Sequence, residues 1–224
     1  MRQLALLFIV IIVILYFQYG EIHREINSFE ILQYQNPEKD LFEKIMFEKK
    51  ITIITGLPLD SITYMNNPVF IITPKLYTSL SQQQHTDVLK ELKTFFNYYY
   101  LPMNTKSDLS INYEKRGTRT TLKLQPNYRF GICQMLGVKR IYLFPPNSKN
   151  NLYFNKSSGQ FDVNFWDQDL IKHPNVVNAK YIEIPLSAGQ MIFIPRGWIF
   201  CYEMDDNGMG VSFYSESIFS NILK

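Results

Sequence analysis

The side chains best suited to metal or nucleophilic chemistry are scarce in this 224-residue chain. The histidines are His23, His85 and His173, and the cysteines are Cys133 and Cys201. Metal binding requires neutral imidazoles, thiolates or carboxylates, because these groups donate lone pairs. One segment, "FDVNFWDQDLIKH", brings several such groups close together in sequence: Asp162, Asp167, Asp169 and His173. It is a candidate metal site, although acidic residues in a polar surface segment are more often simply exposed.

A second group of reactive side chains is entirely cationic. Residues 115–140 contain no histidine, aspartate or glutamate. They do contain seven cations: Lys115, Arg116, Arg119, Lys123, Arg129, Lys139 and Arg140. Runs of charge usually lie on solvated faces, so this pattern favours outward-facing strand positions.

Several classes of function lack their sequence signature. The chain has no Gly-x-Ser-x-Gly elbow and no phosphate-cradling glycine loop, and Cys201 has no histidine close in sequence. The net charge of +3 is too small to predict a nucleic-acid partner. Two cysteines cannot form a Cys-rich zinc site, and two buried thiols are the simpler interpretation.

Short strands are predicted from Asp108 onward. About eight segments rich in β-branched and aromatic residues are separated by turns such as Gly137, Pro145-Pro146 and Gly189. This spacing predicts a mainly β domain, a jelly roll or small sandwich. Residues 147–178 form a polar insertion, for which we expect a rim excursion with little regular structure.

Helices are predicted before these strands. "NPEKDLFEKIMFEKK" places apolar residues on one stripe behind Pro37, which indicates a short amphipathic helix. "SQQQHTDVLKELKTFF" starts with Ser81 and has Gln84 three residues later, a capping-box pattern. His85 falls in the first turn of that helix and is expected at the surface. Between the two helices, "ITIITGLP" predicts a strand.

The first twenty residues are typical of a membrane-targeting segment. Residues 4–17 are apolar, about 21 Å of helix at about 1.5 Å per residue. No small-x-small cleavage site follows, so we predict an uncleaved signal-anchor that contacts the membrane through residues 4–19. A cleaved signal peptide and a buried core helix are the alternatives. The flanking charges predict a single-pass protein with a lumenal or extracytoplasmic body, which suits the "NKS" glycosylation sequon at Asn155.

Three segments, in order, resemble the cupin-like JmjC family of iron- and 2-oxoglutarate-dependent oxygenases. They are "KKITIITGLP", "QMLGVKRIYLFPPNSKNNLY" and "EIPLSAGQMIFIPRGWIF", and the likeness extends over residues 49–215. The resemblance implies a double-stranded β-helix, the cupin jelly roll, with flanking N-terminal helices. Together with the apolar N-terminal segment, it divides the chain into a signal-anchor at 1–20, a stalk at 21–35 and a cupin-like JmjC domain at 36–224.

The same resemblance implies Fe(II) ligands, a His-x-Asp/Glu pair and a second His, that this sequence does not have. The ligand positions fall on Lys123, Gln125 and Phe200; an ungapped register moves the first two to Leu124 and Pro126. No histidine occurs in residues 175–224. We therefore expect no metal and no cofactor.

The family's 2-oxoglutarate site is partly retained in the resemblance. Lys139 matches the lysine that pairs with the far carboxylate of the cosubstrate, and Thr120 or Thr121 stands near an assisting threonine. Lys123 would place an ammonium where the metal sits. A pocket of Lys139, Thr120 and Lys123 for a small carboxylate or phosphate is the resulting hypothesis.

The sequence thus predicts a membrane-anchored, non-catalytic binding or structural module with an unidentified protein partner. The alternative is an Fe(II)/2-oxoglutarate-dependent hydroxylase or demethylase with non-standard ligands. A third possibility is a lectin-like role for the tyrosines of "FFNYYY", residues 95–100, for which packing on the barrel is the simpler interpretation.

Overall fold

The computed structural model describes residues 2–57, 63–64, 67–68, 81–100 and 106–216. The helices are α1 (Arg2–His23), α2 (Lys39–Phe47) and α3 (Gln82–Phe96). The strands are β1 (Ile31–Gln35), β2 (Ile51–Thr55), β3 (Thr63–Tyr64), β4 (Asn67–Pro68), β5 (Lys106–Glu114), β6 (Lys123–Leu124), β7 (Arg129–Leu136), β8 (Val138–Phe144), β9 (Phe154–Asn155), β10 (Gln160–Phe161), β11 (Ile182–Ser187), β12 (Gln190–Phe193), β13 (Ile199–Met204) and β14 (Gly208–Glu216).

Two larger sheets form the body of the protein. One has six strands in the order β1-β2-β12-β7-β14-β5, and the other has four in the order β11-β8-β13-β6. Neighbours are antiparallel except for β1 and β2, which run parallel. β3–β4 and β9–β10 are separate two-residue pairs. The prediction of a mainly β fold is confirmed.

The space between the two sheets is an apolar core. Successive strand residues face opposite sides, so Phe200 and Tyr202 of β13 join this core, while Ile199 and Cys201 face outward. The six-stranded sheet contributes Ile132 and Ile192, among others. The turn that connects β12 to β13 lies at one end of this core.

The outer face of the six-stranded sheet is covered by α2 and α3. Phe42 of α2 and Leu92 and Phe96 of α3 are fully buried there against Phe213 and its neighbours. The capping box predicted at the start of α3 is present. Tyr99 is buried in the same cluster, which favours the packed interpretation of the aromatic segment 95–100.

The insertion 147–178 covers the outer face of the four-stranded sheet. Its Phe165 and Trp166 pack on Tyr142, with ring centroids 5.2 and 5.4 Å away. Trp166 Nε1 also donates to the carbonyl oxygen of Thr120 at 2.7 Å. Little of the insertion is regular, as expected, but its description as a rim excursion is wrong. Its aromatic side chains bury a sheet face.

The segment predicted as a stalk, 21–35, is only partly a linker. Its last five residues form β1, which pairs with β2 from Ile31↔Ile51 to Gln35↔Thr55. Phe29 packs edge-on against Trp198, with ring centroids 6.1 Å apart. The sheet therefore begins at residue 31, so the predicted domain boundary at residue 36 is too late in the chain.

Helix α1 carries the apolar N-terminal run. From Leu6 to Phe17 its side chains are exposed. Within the part of the chain that the structure describes, no helix is both long and apolar enough to cross a membrane.

Candidate functional site

Two of the three positions at which the resemblance implies metal ligands face each other. Lys123 of β6 and Phe200 of β13 are paired residues in the four-stranded sheet. The Phe200 side chain is buried and packs on Phe130, with ring centroids 5.6 Å apart, whereas Lys123 is exposed. Neither a phenyl ring nor an ammonium donates a lone pair to a metal.

At the third position, the side chain of Gln125 forms hydrogen bonds that stabilise the turn before β7. Its Nε2 donates to the carbonyl oxygens of Asn127 (2.8 Å) and Ile194 (3.0 Å), and its Oε1 accepts from the Asn127 N–H (2.6 Å). The backbone of Gln125 also bonds to Gly197 and Trp198. In the ungapped register, Leu124 and Pro126 offer no side-chain donor atoms. The residues at these positions therefore do not fit an Fe(II) ion.

The acidic segment of the insertion forms a turn. Asp169 Oδ1 accepts from the N–H groups of Ile171 and Lys172, both at 3.1 Å. The ring of His173 is buried against Tyr153, with centroids 4.7 Å apart. Across the residues that the structure describes, no three His, Cys, Asp or Glu side chains come together as a metal site.

Lys139 lies inside the barrel, in an ion pair that the sequence did not predict. Its side chain is 2% exposed, and its Nζ lies 2.9 Å from Oε2 of Glu114, which is 12% exposed. The hydroxyl of Tyr202 donates to the other Glu114 oxygen, Oε1. The Lys139 ammonium also lies 4.2 Å from the centroid of the Tyr202 ring. These three side chains, the interior triad, join β5, β8 and β13.

The backbone makes room for the triad. A Cβ atom at Gly210 of β14 would lie 3.3 Å from Lys139 Nζ, so a side chain there would crowd the ammonium. Burial lowers the pKa of Lys139, and Glu114 offsets part of this effect because its carboxylate favours the charged ammonium. Burial also raises the pKa of Tyr202, and the Glu114 carboxylate adds to that increase.

The other two residues of the hypothetical anion pocket lie at the edge of the triad. Thr120 Oγ1 accepts from the backbone N–H of Tyr202 at 3.0 Å, so the hydroxyl is used to dock the chain onto β13. Lys123 is exposed, and its charge contributes to lowering the Lys139 pKa. The structure thus brings Lys139 together with Glu114 and Tyr202 more closely than with either predicted partner.

Four of the seven cations of residues 115–140 pair with acids from other parts of the chain, which a reading of that stretch alone missed. The ion pairs are Lys139–Glu114, Arg129–Glu43, Arg119–Glu203, and Arg140 with both Glu183 and Asp205. β5 pairs with β14, so Glu114, the last residue of β5, lies opposite Gly208. This pairing indicates part of the surroundings of Glu114. Its contact with β8 could not be read from sequence spacing.

The two cysteines are free thiols, both fully buried. Cys133 faces the helices and Cys201 faces the insertion, in separate clusters. Burial raises the pKa of Cys133 to about 12 and also raises that of Cys201. Neither thiol has the low pKa of a nucleophile.

Comparison with known proteins identifies what this barrel resembles. The profile of a family described as "Cupin-like domain" matches residues 76–219. JmjC domain-containing protein D of Dictyostelium discoideum is 37% identical over 98 residues, 41% of this chain and 22% of that protein. Lysine-specific demethylase 8 of Danio rerio is 30% identical over 135 residues (56% and 33%). tRNA wybutosine-synthesizing protein 5 of Mus musculus is 34% identical over 83 residues (37% and 26%). The chain thus spans a third or less of the length of these relatives.

Proposed function

The chain belongs to the cupin-like domain family, and we propose that it is a non-catalytic member, a binding or structural module held at a membrane. The observation that carries the proposal is the interior triad. Lys139, which by resemblance would hold the far carboxylate of 2-oxoglutarate, is already paired with the carboxylate of Glu114.

A dicarboxylate ligand would have to displace Glu114 from Lys139. The intramolecular carboxylate is held in place by its own strand, so a free ligand competes against a high effective concentration. Displacement would also leave Glu114, which is 12% exposed, without its cation, and an unpaired buried charge is costly. The triad therefore disfavours cosubstrate binding at Lys139.

The ligand positions support the same conclusion. Lys123 and Phe200 donate no lone pair to a metal, and the amide of Gln125 bonds to the backbone on both its oxygen and its nitrogen. Filling the place of a ligand with Phe200 stabilises the inter-sheet core through contact with Phe130. The residues that form the strands and core of the barrel are kept because they stabilise the fold.

The test uses the full chain purified in detergent. Its metal content is measured first, and its melting is then followed with Mn(II), Fe(II) and 2-oxoglutarate, singly and together. A ligand at one hundred times its Kd adds about 2.7 kcal/mol of stability. We expect no shift. Stabilisation only by metal and 2-oxoglutarate together would refute the proposal and indicate a hydroxylase or demethylase with other ligands, as the names of the relatives suggest.

Glu114→Gln provides the matched control for that experiment. The substitution frees the Lys139 ammonium while keeping an oxygen for the Tyr202 hydroxyl. If Glu114 excludes carboxylates, 2-oxoglutarate or succinate should stabilise the variant more than the wild-type protein. Equal stabilisation of both proteins would show that a carboxylate site exists independently of Glu114.

We also propose that residues 4–19 attach the protein to a membrane, as the sequence predicts. The exposed apolar side chains of α1 support attachment, because they have few partners in the body of the protein. Replacing Ile11 and Ile12 with lysine should release the protein from membrane pellets at alkaline pH. Release of the unsubstituted protein under the same conditions would contradict attachment.

The lumenal or extracytoplasmic position of the body is a further part of the proposal. Asn155 of the sequon lies in β9, and its Oδ1 accepts from the Ser157 hydroxyl at 2.6 Å. In eukaryotic cells, the protein should carry a glycan that a glycosidase removes, and the added mass of this glycan should be absent from Asn155→Gln. Full labelling of the exposed lysines by a reagent confined to the cytosol would contradict this proposal and place the body in the cytosol.

A further inference from the structure

Arg196 has an unfilled hydrogen-bonding position. It lies in the turn between β12 and β13, and its Nη1 is buried without a hydrogen-bond partner in the part of the chain that the structure describes. Among the residues that the structure describes, no acidic side chain forms an ion pair with it. A buried guanidinium nitrogen that lacks an acceptor costs free energy, since guanidinium always carries its charge. The missing acceptor is therefore expected from outside the chain.

Lys49 presents a second cation to the same place. Its side chain is 14% exposed, its Nζ donates to the carbonyl oxygen of Glu21, and the Glu21 carboxylate lies at 4.0 Å. Burial lowers the pKa of Lys49, Glu21 partly opposes this, and the charges of Arg24 and Arg196 lower it further. The two cations are thus close enough to repel each other.

A pocket separates these side chains. Its lining includes four cations, Lys49, Lys50, Arg129 and Arg196, and no acidic residue. Its cavity volume is about 40 Å³, and it is partly open to solvent. Lys50 is paired with Glu30 and Glu48, and Arg129 with Glu43, so these two cations are already neutralised. Lys49 is held less closely, because the Glu21 carboxylate lies 4.0 Å away, and no acidic side chain among the described residues pairs with Arg196. Arg196 and Lys49 are therefore the cations best placed to bind an anion.

We propose that this pocket, the Lys49–Arg196 pocket, binds a phosphate group. A guanidinium presents several N–H donors in a fixed plane and suits the oxygens of phosphate, and an ammonium adds a point charge. A phosphate bound in the pocket would supply the Arg196 guanidinium with an acceptor and would reduce the repulsion between the two cations. Neither residue stands at a metal-ligand position, so the inference is independent of the proposed loss of catalysis.

The surroundings of the pocket allow two sources for the phosphate. On its other side, Arg196 lines a second opening with Arg24 and with Lys149, which is paired with Glu25, next to the end of α1 at His23. Because α1 is exposed and apolar, a phospholipid headgroup can reach this place. A soluble phosphorylated molecule can reach it from solvent. The shared chemistry is a phosphate group.

The test compares four forms of the full chain in detergent: wild type, Arg196→Gln, Lys49→Gln and Lys180→Gln. Lys180 is exposed and lies outside the pocket, so its variant controls for the loss of one charge. Melting is followed with inorganic phosphate against chloride at equal ionic strength. Binding to phosphatidylcholine vesicles is compared with and without phosphatidic acid.

We expect phosphate to stabilise the wild type and Lys180→Gln, and to bind at least about tenfold more weakly to Arg196→Gln and Lys49→Gln. A gain with phosphatidic acid that these two variants lose indicates a headgroup; a gain with inorganic phosphate alone indicates a soluble ligand. Equal responses in all four proteins, or no response to either probe, would overturn the inference. Lys49→Gln keeps the test valid if Arg196→Gln does not fold.

Discussion

The ion pair between Glu114 and Lys139 makes a strong prediction about stability. Glu114→Gln removes the negative charge but keeps a side-chain oxygen that can accept from the Tyr202 hydroxyl. The substitution therefore isolates the charge of the pair from its shape. The side chain of Lys139, 2% exposed, would be left with an uncompensated ammonium.

The expected cost follows from burial. Removing one partner of a buried ion pair typically destabilises a protein by about 3–5 kcal/mol. The retained oxygen and the partial exposure of Glu114 place this case at the lower end, about 3 kcal/mol. Native domains have total stabilities of about 5–15 kcal/mol, so the loss would be a large fraction of the whole.

The lowered pKa of Lys139 determines whether stability rises or falls with pH. The pKa of Lys139 is lower in the folded protein than its ordinary value of 10.5, because burial disfavours the ammonium. Between the folded and the unfolded pKa the unfolded chain binds more protons, so this group makes stability rise with pH in that window. The destabilisation is fully present below the folded pKa. In Glu114→Gln the folded pKa falls further, so the rise should start at lower pH and be larger.

The assay is urea unfolding followed by tryptophan fluorescence, at neutral and at alkaline pH. Glu183→Gln is the matched control, since Glu183 pairs with Arg140 at 3.3 Å on the surface and should cost less than about 1 kcal/mol. Adding Lys139→Met to Glu114→Gln should recover much of the loss, because no buried charge then remains. Equal costs for the two glutamine variants would refute the reasoning.

Three further predictions concern the core. Arg129→Met should destabilise by about 2–4 kcal/mol in urea unfolding, because the Arg129 guanidinium forms a bidentate pair with Glu43 at 2.7 and 3.2 Å. Burial raises the pKa of Glu43, but Arg129 and Lys39 lower it more, so the wild type should lose more stability than the variant as pH falls through that pKa. Gly131→Ala should cost about 1–3 kcal/mol in thermal melting, since the new Cβ would lie 2.5 Å from the buried ring of the residue paired with it on β14. The Cys133 thiol, which is fully buried with its pKa raised to about 12, should react with a thiol reagent only after unfolding.

Controls separate these effects from general loss of stability. Gly20→Ala places a methyl group where no atom lies within 4 Å, and should not destabilise the protein. A neutral result for Gly131→Ala would mean that β7 and β14 can move apart. An acid-unfolding midpoint unchanged in Arg129→Met would mean that Glu43 is solvated in the native protein. Fast labelling of the folded protein would contradict the burial of Cys133.

Local patterns in the sequence determined the element types. Segments rich in β-branched and aromatic residues between turns predicted the strands that carry Lys139 and Phe200, the capping box predicted the start of α3, and an amphipathic stripe predicted α2. These signals are read over a few neighbouring residues, so they do not depend on the rest of the fold. The absence of histidines around the ligand positions was likewise visible in the chain itself.

The contacts of the site were decided by the tertiary structure. Glu114 and Lys139 lie on β5 and β8, strands of different sheets, and only the packing of the sheets brings their charges to 2.9 Å. Four cations of residues 115–140 looked unopposed for the same reason, since the acids that pair with them come from outside that stretch. The last five residues of the predicted stalk form β1 by pairing with β2, about twenty residues further along the chain, which the local sequence did not indicate. Charge and hydrogen-bonding partners that meet across sheets leave no periodic trace in sequence, whereas the side chains that face a core do.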